Sequence, residues 1–272
     1  LGDPVFSDEF NGTSLNSSKW LPWYPDTPFW NTTVPGGHKT NSNEPQGYDE
    51  TGLSFEDGSI VFTLHESNHA VPELEFTSGM VCSYPSYNAT YGYFEAKMLL
   101  PNAPNSWPAF WLMPQDMIWP PEIDIMENWG QAEWGVYVSN GFIAPGGANS
   151  STPYNLNENV NLNWHVYGCL WEPGRLRFYV DGNLAQDYQS DLVPDNPFYI
   201  ICNLAGEKNS TEALRDIAPF SAKVDYIRSW SLDGTNQEDQ DFMKLRQNGQ
   251  AVETSLFTRS NGVSVPLHRG NL

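Results

Sequence analysis

The sequence predicts an all-β protein, a sandwich or jelly roll, and three observations carry that expectation. Short runs rich in β-branched and aromatic residues recur along the chain, bounded by Gly, Pro, Asn and Asp. Several alternate apolar and polar residues in period two. Helical periodicity is almost absent, so nothing alternates with the strands to cover a parallel sheet.

The runs are taken in order. Ser59–Leu64 is a short β-branched and aromatic run. In the segment Tyr91–Leu100, Phe94, Ala96 and Met98 share one face while Tyr93, Glu95 and Lys97 share the other. Glu122–Glu127 interleaves acids with isoleucines, and Trp164–Trp171 follows the same strand-like composition. Leu176–Val180 runs into Asp181-Gly182, a pair that tolerates positive φ and so closes a tight hairpin. Phe198–Leu204 and Val224–Trp230 complete the set. Leu21–Pro45 and Ile143–Asn161 are long, polar connections rich in Pro, Gly and Asn, the kind that form functional rims. The strand pattern ends near residue 232. Residues 1–232 are therefore read as one domain and 233–272 as a C-terminal extension, with a short helix over Asp239–Gln247 and a Ser-, Asn- and Gly-rich tail.

Composition narrows the partners. The 272 residues suit one large β domain and carry a formal net charge of -20, which repels nucleic acid and anionic membrane surfaces. A heavily sulfated or carboxylated polymer would be repelled too, so a neutral substrate is expected. No apolar run approaches the ~20 residues of a membrane span, which predicts a soluble protein; a monomer is expected. Eleven Trp, 13 Tyr and 14 Phe in a Lys-poor chain suit the flat C–H faces of sugars, although any sandwich core also uses aromatics. The chain begins at Leu1 and carries six N-x-[ST] sequons, at Asn11, Asn16, Asn31, Asn88, Asn149 and Asn209. About three would arise by chance in such a composition, so a secreted, N-glycosylated protein is expected. The three cysteines, Cys82, Cys169 and Cys202, read first as small apolar strand residues. With no C-x-x-C, no H-E-x-x-H and scattered histidines, a catalytic zinc is not expected.

The chemistry lies in Trp119-Pro-Pro-Glu122-Ile-Asp124-Ile-Met-Glu127-Asn-Trp129. On a regular strand Glu122 and Asp124 share a face, and Glu127, five positions on, falls on the other. One extra residue, a β-bulge near Met126, returns Glu127 to the first face while the isoleucines anchor the strand in the core. Three acids side by side repel one another and are desolvated by their apolar neighbours, which is costly as mere structure. It suits glycoside hydrolysis, where one carboxyl must be ionised and its partner protonated near neutrality. The alternative is a solvated acidic face; the flanking Trp119 and Trp129 and the β-branched neighbours argue against it.

These residues resemble glycoside hydrolase family 16, the laminarinase and lichenase group, whose signature E-[ILV]-D-x-x-E reads here Glu122-Ile-Asp-Ile-Met-Glu127. The likeness extends to Phe6-Ser-Asp-Glu-Phe-Asn-Gly12, Asn43-Glu44, Tyr91-Gly-Tyr-Phe-Glu-Ala-Lys97, Trp107-Pro-Ala-Phe-Trp-Leu112 and Trp119-Pro-Pro121, then to Trp164-His-Val-Tyr-Gly168, Arg177-Phe-Tyr-Val-Asp-Gly182 and Val224-Asp-Tyr-Ile-Arg228. The resemblance implies a jelly roll of two curved antiparallel sheets, with a concave cleft open at both ends and suited to internal cuts. It implies Glu122 as nucleophile, Glu127 as general acid/base and Asp124 as their assistant. Trp107 and Trp111 match the aromatics that support the sugar at the cut, with Trp107 favoured as the ring facing the cleft. Asn43, Glu44, Trp119, Trp129 and Trp134 are further sugar-contact candidates. No cofactor is required; some members hold a structural calcium, for which Gly58 and Asp225 are the matching positions.

Two departures bear on the substrate. The segment Glu133–Gly141 lacks the histidine that many laminarinase-like members carry after the catalytic strand, and Ala205–Thr211 replaces a Gly-Gly-x-Trp type loop. The leading expectation is an endo-β-1,3- or mixed β-1,3(4)-glucanase. An endo-β-1,3-galactanase or a transglycosylase on the same fold is the alternative, and a non-catalytic glycan-binding protein is a third reading that retention of all three acids opposes.

Overall fold

The computed structural model describes residues 3–26, 30, 32–33, 39–41, 44–67, 74–130, 137–156, 160–161 and 163–232. The extension 233–272, including the expected helix, lies outside them. In chain order the strands are β1 (Phe6–Asp8), β2 (Thr32–Thr33), β3 (Lys39–Thr40), β4 (Gln46–Tyr48), β5 (Leu53–Glu56), β6 (Ser59–Glu66), β7 (Phe76–Ser78), β8 (Met80–Cys82), β9 (Gly92–Leu99), β10 (Ser106–Pro114), β11 (Glu122–Glu127), β12 (Tyr137–Ile143), β13 (Thr152–Asn155), β14 (His165–Glu172), β15 (Arg175–Val180), β16 (Asn183–Gln189), β17 (Phe198–Gly206) and β18 (Phe220–Trp230). One short helix, α1 (Thr211–Ile217), lies between the last two.

The strands form two large sheets. The outer one runs β16-β15-β14-β9-β18-β6-β7-β4, with β1 added on β18 and β5 on β6; the inner one runs β13-β12-β11-β10-β17-β8. Pairing is antiparallel throughout except for β4 with β7. All seven runs singled out in the sequence are strands, and the Asp181-Gly182 turn has φ of 49° and 77°, the left-handed pair that the hairpin requires.

Period two decides what each strand buries. Phe94, Ala96 and Met98 of β9 enter the core between the sheets, as their alternation requires. They meet Phe110 and Leu112 of β10, Ile123 and Ile125 of β11, and Phe198, Ile200, Cys202 and Leu204 of β17. The other face of the inner sheet is apolar too. Ala109, Trp111 and Met113 of β10 and Tyr199 and Ile201 of β17 join Tyr24, Trp30 and Tyr48 in a second cluster on the concave side. A sheet buried on both faces needs near-continuous apolar strands, and β17 is buried at all nine of its positions. Cys82, Cys169 and Cys202 are free and buried, the small apolar role expected of them.

Candidate active site

Strand β11 supplies the acids, and its irregularity places them. Against β10, Met126 pairs with Phe110 and Asp124 with the next residue, Trp111, so the register skips Ile125. Against β12, Asp124 pairs with Gly141 and Glu127 with Ser139, three steps on one strand for two on the other. This is a β-bulge at Ile125–Met126, where the acid spacing demands one. Ile123, Ile125 and Met126 are all fully buried in the inter-sheet core, and Glu122, Asp124 and Glu127 line a single concave cleft.

That cleft has a volume of about 490 Å3. Trp107, Ala109, Trp111 and Met113 of β10 form its floor in period two, and Asn203 enters from β17. Trp30, Asn41 and Glu44 line it from the first long connection, and Ile143, Asn149 and Ser151 from the second. Trp119 and Trp129 flank β11 at either end. Both β10 tryptophans thus line the cleft, where one ring facing it was expected. Asn43 and Trp134 lie outside the described residues.

The indoles do more than present flat faces. Trp107 donates Nε1–H to Glu127 Oε1 at 2.8 Å and stacks on Trp129, with ring centroids 6.0 Å apart and planes 22° apart. Trp119, which is 47% exposed, donates Nε1–H to Glu122 Oε2 at 2.6 Å. Trp111 donates to Asn203 Oδ1 at 2.8 Å, and Asn203 donates in turn to Tyr48 Oη at 2.9 Å. Trp129 is held by its neighbour: a Cβ on Gly130 would stand 1.9 Å from the Ala103 carbonyl oxygen, so only glycine lets the chain pass this close.

Electrostatics separates the carboxyls. Burial pushes Asp124 well above the usual carboxylate range, and the neighbouring charges of Glu122 and Glu127 push it further. That rise favours the protonated form of Asp124, which donates a hydrogen bond to Glu122. Glu122 is also raised by burial, but the hydrogen bonds from Asp124 and Trp119 oppose the rise. Glu127 is raised to about 7, by burial first and then by the charge of Glu122, against the hydrogen bond from Trp107. One acid is thus stabilised as a carboxylate by two donors, while its partner holds a proton up to neutral pH.

Glu44 is a fourth buried acid in the cleft, raised by burial to about 7 and accepting from Tyr24 Oη at 2.9 Å. A carboxyl with a higher pKa folded than unfolded binds its proton more tightly in the folded protein. Its stabilising contribution is complete below about 4.5 and is lost as pH rises through about 7. At about 1.4 kcal/mol per pH unit, that contribution is about 3 kcal/mol. Glu44→Gln is expected to lose less stability than the parent between pH 5 and pH 8, by about this amount. Denaturant unfolding at the two pH values checks it, and parallel changes in the two proteins would exclude the assignment.

Asn203 and Trp30 were not singled out from the sequence. Asn203 left a signal, being a lone polar side chain within the apolar strand Phe198–Leu204. Trp30 left none, because only the folding of its long connection brings it to the floor, edge-on to Trp111 at 6.5 Å. The calcium positions fare differently. Asp225 forms an ion pair with Lys97 at 2.7 Å, and no group of three or more His, Cys, Asp or Glu able to hold a metal occurs among the described residues. The Lys97 ammonium thus occupies one carboxylate oxygen of Asp225.

Comparison with known proteins agrees with this geometry. The family model described as "Beta-porphyranase A-D, GH16 domain" matches residues 3–232. Endo-1,3-1,4-beta-glycanase ExsH of Rhizobium meliloti (strain 1021) is 31% identical over 243 residues, covering 84% of this chain and 52% of its own. Keratan-sulfate endo-1,4-beta-galactosidase of Sphingobacterium multivorum is 30% identical over 252 residues, covering 84% and 55%. The chain thus spans about half the length of these curated relatives. Among solved structures, the laminarinase from Flavobacterium sp. UMI-01 superposes with a TM-score of 0.69 at 25% identity, covering 84% of this chain and 100% of that one.

Proposed function

The chain belongs to glycoside hydrolase family 16, and on that premise we propose that it is a retaining endo-glycosidase cutting internal β-linkages of a neutral polysaccharide, foremost a β-1,3- or mixed β-1,3(4)-glucan. The observation that carries the reading is the bulge at Ile125–Met126, which aligns an ionisable Glu122 and a protonated Glu127 in one cleft.

The chemistry proceeds in two displacements. Glu122 attacks the anomeric carbon as Glu127 delivers its proton to the departing glycosidic oxygen; the C–O bond breaks and a glycosyl ester forms on Glu122. Glu127, now a carboxylate, takes a proton from water. The water oxygen attacks the same carbon, the ester bond breaks, and Glu122 is restored with Glu127 reprotonated. A sugar hydroxyl in place of water would give transglycosylation. Asp124 holds its proton against Glu122 and lowers the repulsion of three adjacent acids. Trp107, Trp111, Trp119 and Trp129 offer flat faces to sugar rings along the cleft.

Charge supports a neutral polymer. No Lys, Arg or His occurs among the described residues lining the cleft, and the chain carries a net charge of -20. A sulfated galactan would call for cationic partners. The galactan reading is kept by two findings: the matched family model is named for porphyranases, and one relative for keratan sulfate. Secretion with N-glycosylation is part of the proposal. Its support is that Asn11, Asn16, Asn88, Asn149 and Asn209, the described sequon asparagines, are all exposed. No helix among the described residues is long and apolar enough to cross a membrane.

Reducing-sugar release from laminarin, mixed-linkage β-glucan, β-1,3-galactan and keratan sulfate tests the proposal. Oligosaccharides from either glucan, at least tenfold faster than from the galactans, are expected. Faster release from a galactan would move the assignment to that polymer. Binding without release from any would favour the non-catalytic reading.

A further inference from the structure

Among the described residues, two indole N–H groups bond the catalytic glutamates, one to each. Trp107 comes from β10 and bonds Oε1 of Glu127; Trp119 comes from the segment before β11 and bonds Oε2 of Glu122. We propose that Trp107 and Trp119 are positioning residues, one for each catalytic glutamate, each holding one carboxylate oxygen so that the other is left to the reaction.

The terminal torsion of a glutamate is broad and roughly two-fold, so the carboxyl plane is not set by its own rotamer. A donor on one oxygen sets it, and a near-attack geometry requires it to be set. The two donors are themselves held differently. Trp107 is half-buried and fixed by stacking on Trp129. Trp119 is half in solvent, and its bond to Glu122 is what ties that rim to the nucleophile. An indole donates and never accepts, so each bond favours the ionised form of its glutamate.

The other titratable groups facing the pair are Asp124 on the same strand, Tyr199 from β17, whose phenol is raised by burial first and least by the charge of Glu122, and Glu44 across the cleft. None of these is an indole donor, and no cation lines the cleft among the described residues. The two bonds are therefore separable by substitution. Phenylalanine keeps a flat ring and removes the N–H.

This inference rests on the glycosidase reading, in which the acid limb of kcat/KM requires ionised Glu122 and the basic limb protonated Glu127. Trp119→Phe is expected to move the acid limb upward, and Trp107→Phe the basic limb upward, each by about one pH unit, the worth of one hydrogen bond to a charged group. Each should lower kcat/KM at its optimum by about tenfold or more. Folded variants whose limbs coincide with those of the parent would overturn the proposal.

Because adjacent acids titrate jointly, a second readout is needed that does not pass through activity. In the parent protein with 15N-labelled tryptophan, the indole N–H resonances of Trp107 and Trp119 are expected to shift between pH 4 and pH 9 with carboxylate titration. Flat indole resonances for both would refute the positioning role even in an active enzyme. A parent inactive on every glycan would instead remove the glycosidase reading and leave this titration to decide the hydrogen bonds on their own.

Discussion

Replacing Glu122 with Gln is expected to abolish turnover on the preferred glycan, with kcat falling by about 10^4-fold or more, while the fold survives. An amide has no anionic oxygen with which to form the glycosyl ester, so the first displacement has no nucleophile. The side chain keeps its shape, and the strand stays anchored because Ile123, Ile125 and Met126 hold it from the core. Burial raises Glu122, so a neutral group at this position removes a charge that the site already disfavours. The thermal midpoint of the variant at pH 7 is therefore expected to equal or exceed that of the parent. Steady-state rates and a melting curve check both halves. Activity within tenfold of the parent would show that another group attacks the sugar.

Glu127→Ala produces a different defect. Without the acid, a natural polysaccharide loses its leaving-group proton, and kcat falls by about 10^3-fold or more. An aryl glycoside whose phenolate departs without protonation still glycosylates Glu122, and the intermediate then accumulates because no base activates water. Azide, which needs no deprotonation, should restore turnover and yield the β-glycosyl azide. The product anomer separates the two roles. In Glu122→Ala, azide would replace the nucleophile and yield the α-anomer. An α-azide from Glu127→Ala would exchange the assignments. The parent should also lose activity as pH rises through about 7, where Glu127 gives up its proton.

Much of this was legible in the chain. The seven strand runs are local patterns, since period two is imposed by the pleat and is visible without knowing what covers either face. The bulge was legible for the same reason. Acids five apart cannot share a face of a regular strand, so the sequence demanded an extra residue near Met126, and the structure has it at Ile125–Met126. The helix Thr211–Ile217 was not foreseen, because seven residues give too short a window for a 3.6-residue period. The burial of both faces of the inner sheet was not foreseen either. Tyr24 and Trp30 reach it from a connection whose polar composition hides them, and Tyr48 reaches it from the short strand β4.

The tryptophans show where local reasoning stops. Their rings were read as sugar platforms, but a ring's role depends on what stands within reach of its N–H. For Trp107 that is a side chain twenty residues away, and for Trp111 one ninety-two residues away. The chain by itself determined the all-β class, the three acids and the kink that gathers them, because each depends on neighbours in sequence. Tertiary structure alone decided which donor meets which glutamate, how far burial lifts each proton, and that a lysine stands beside Asp225, because those energies depend on distances between strands that no local spacing encodes.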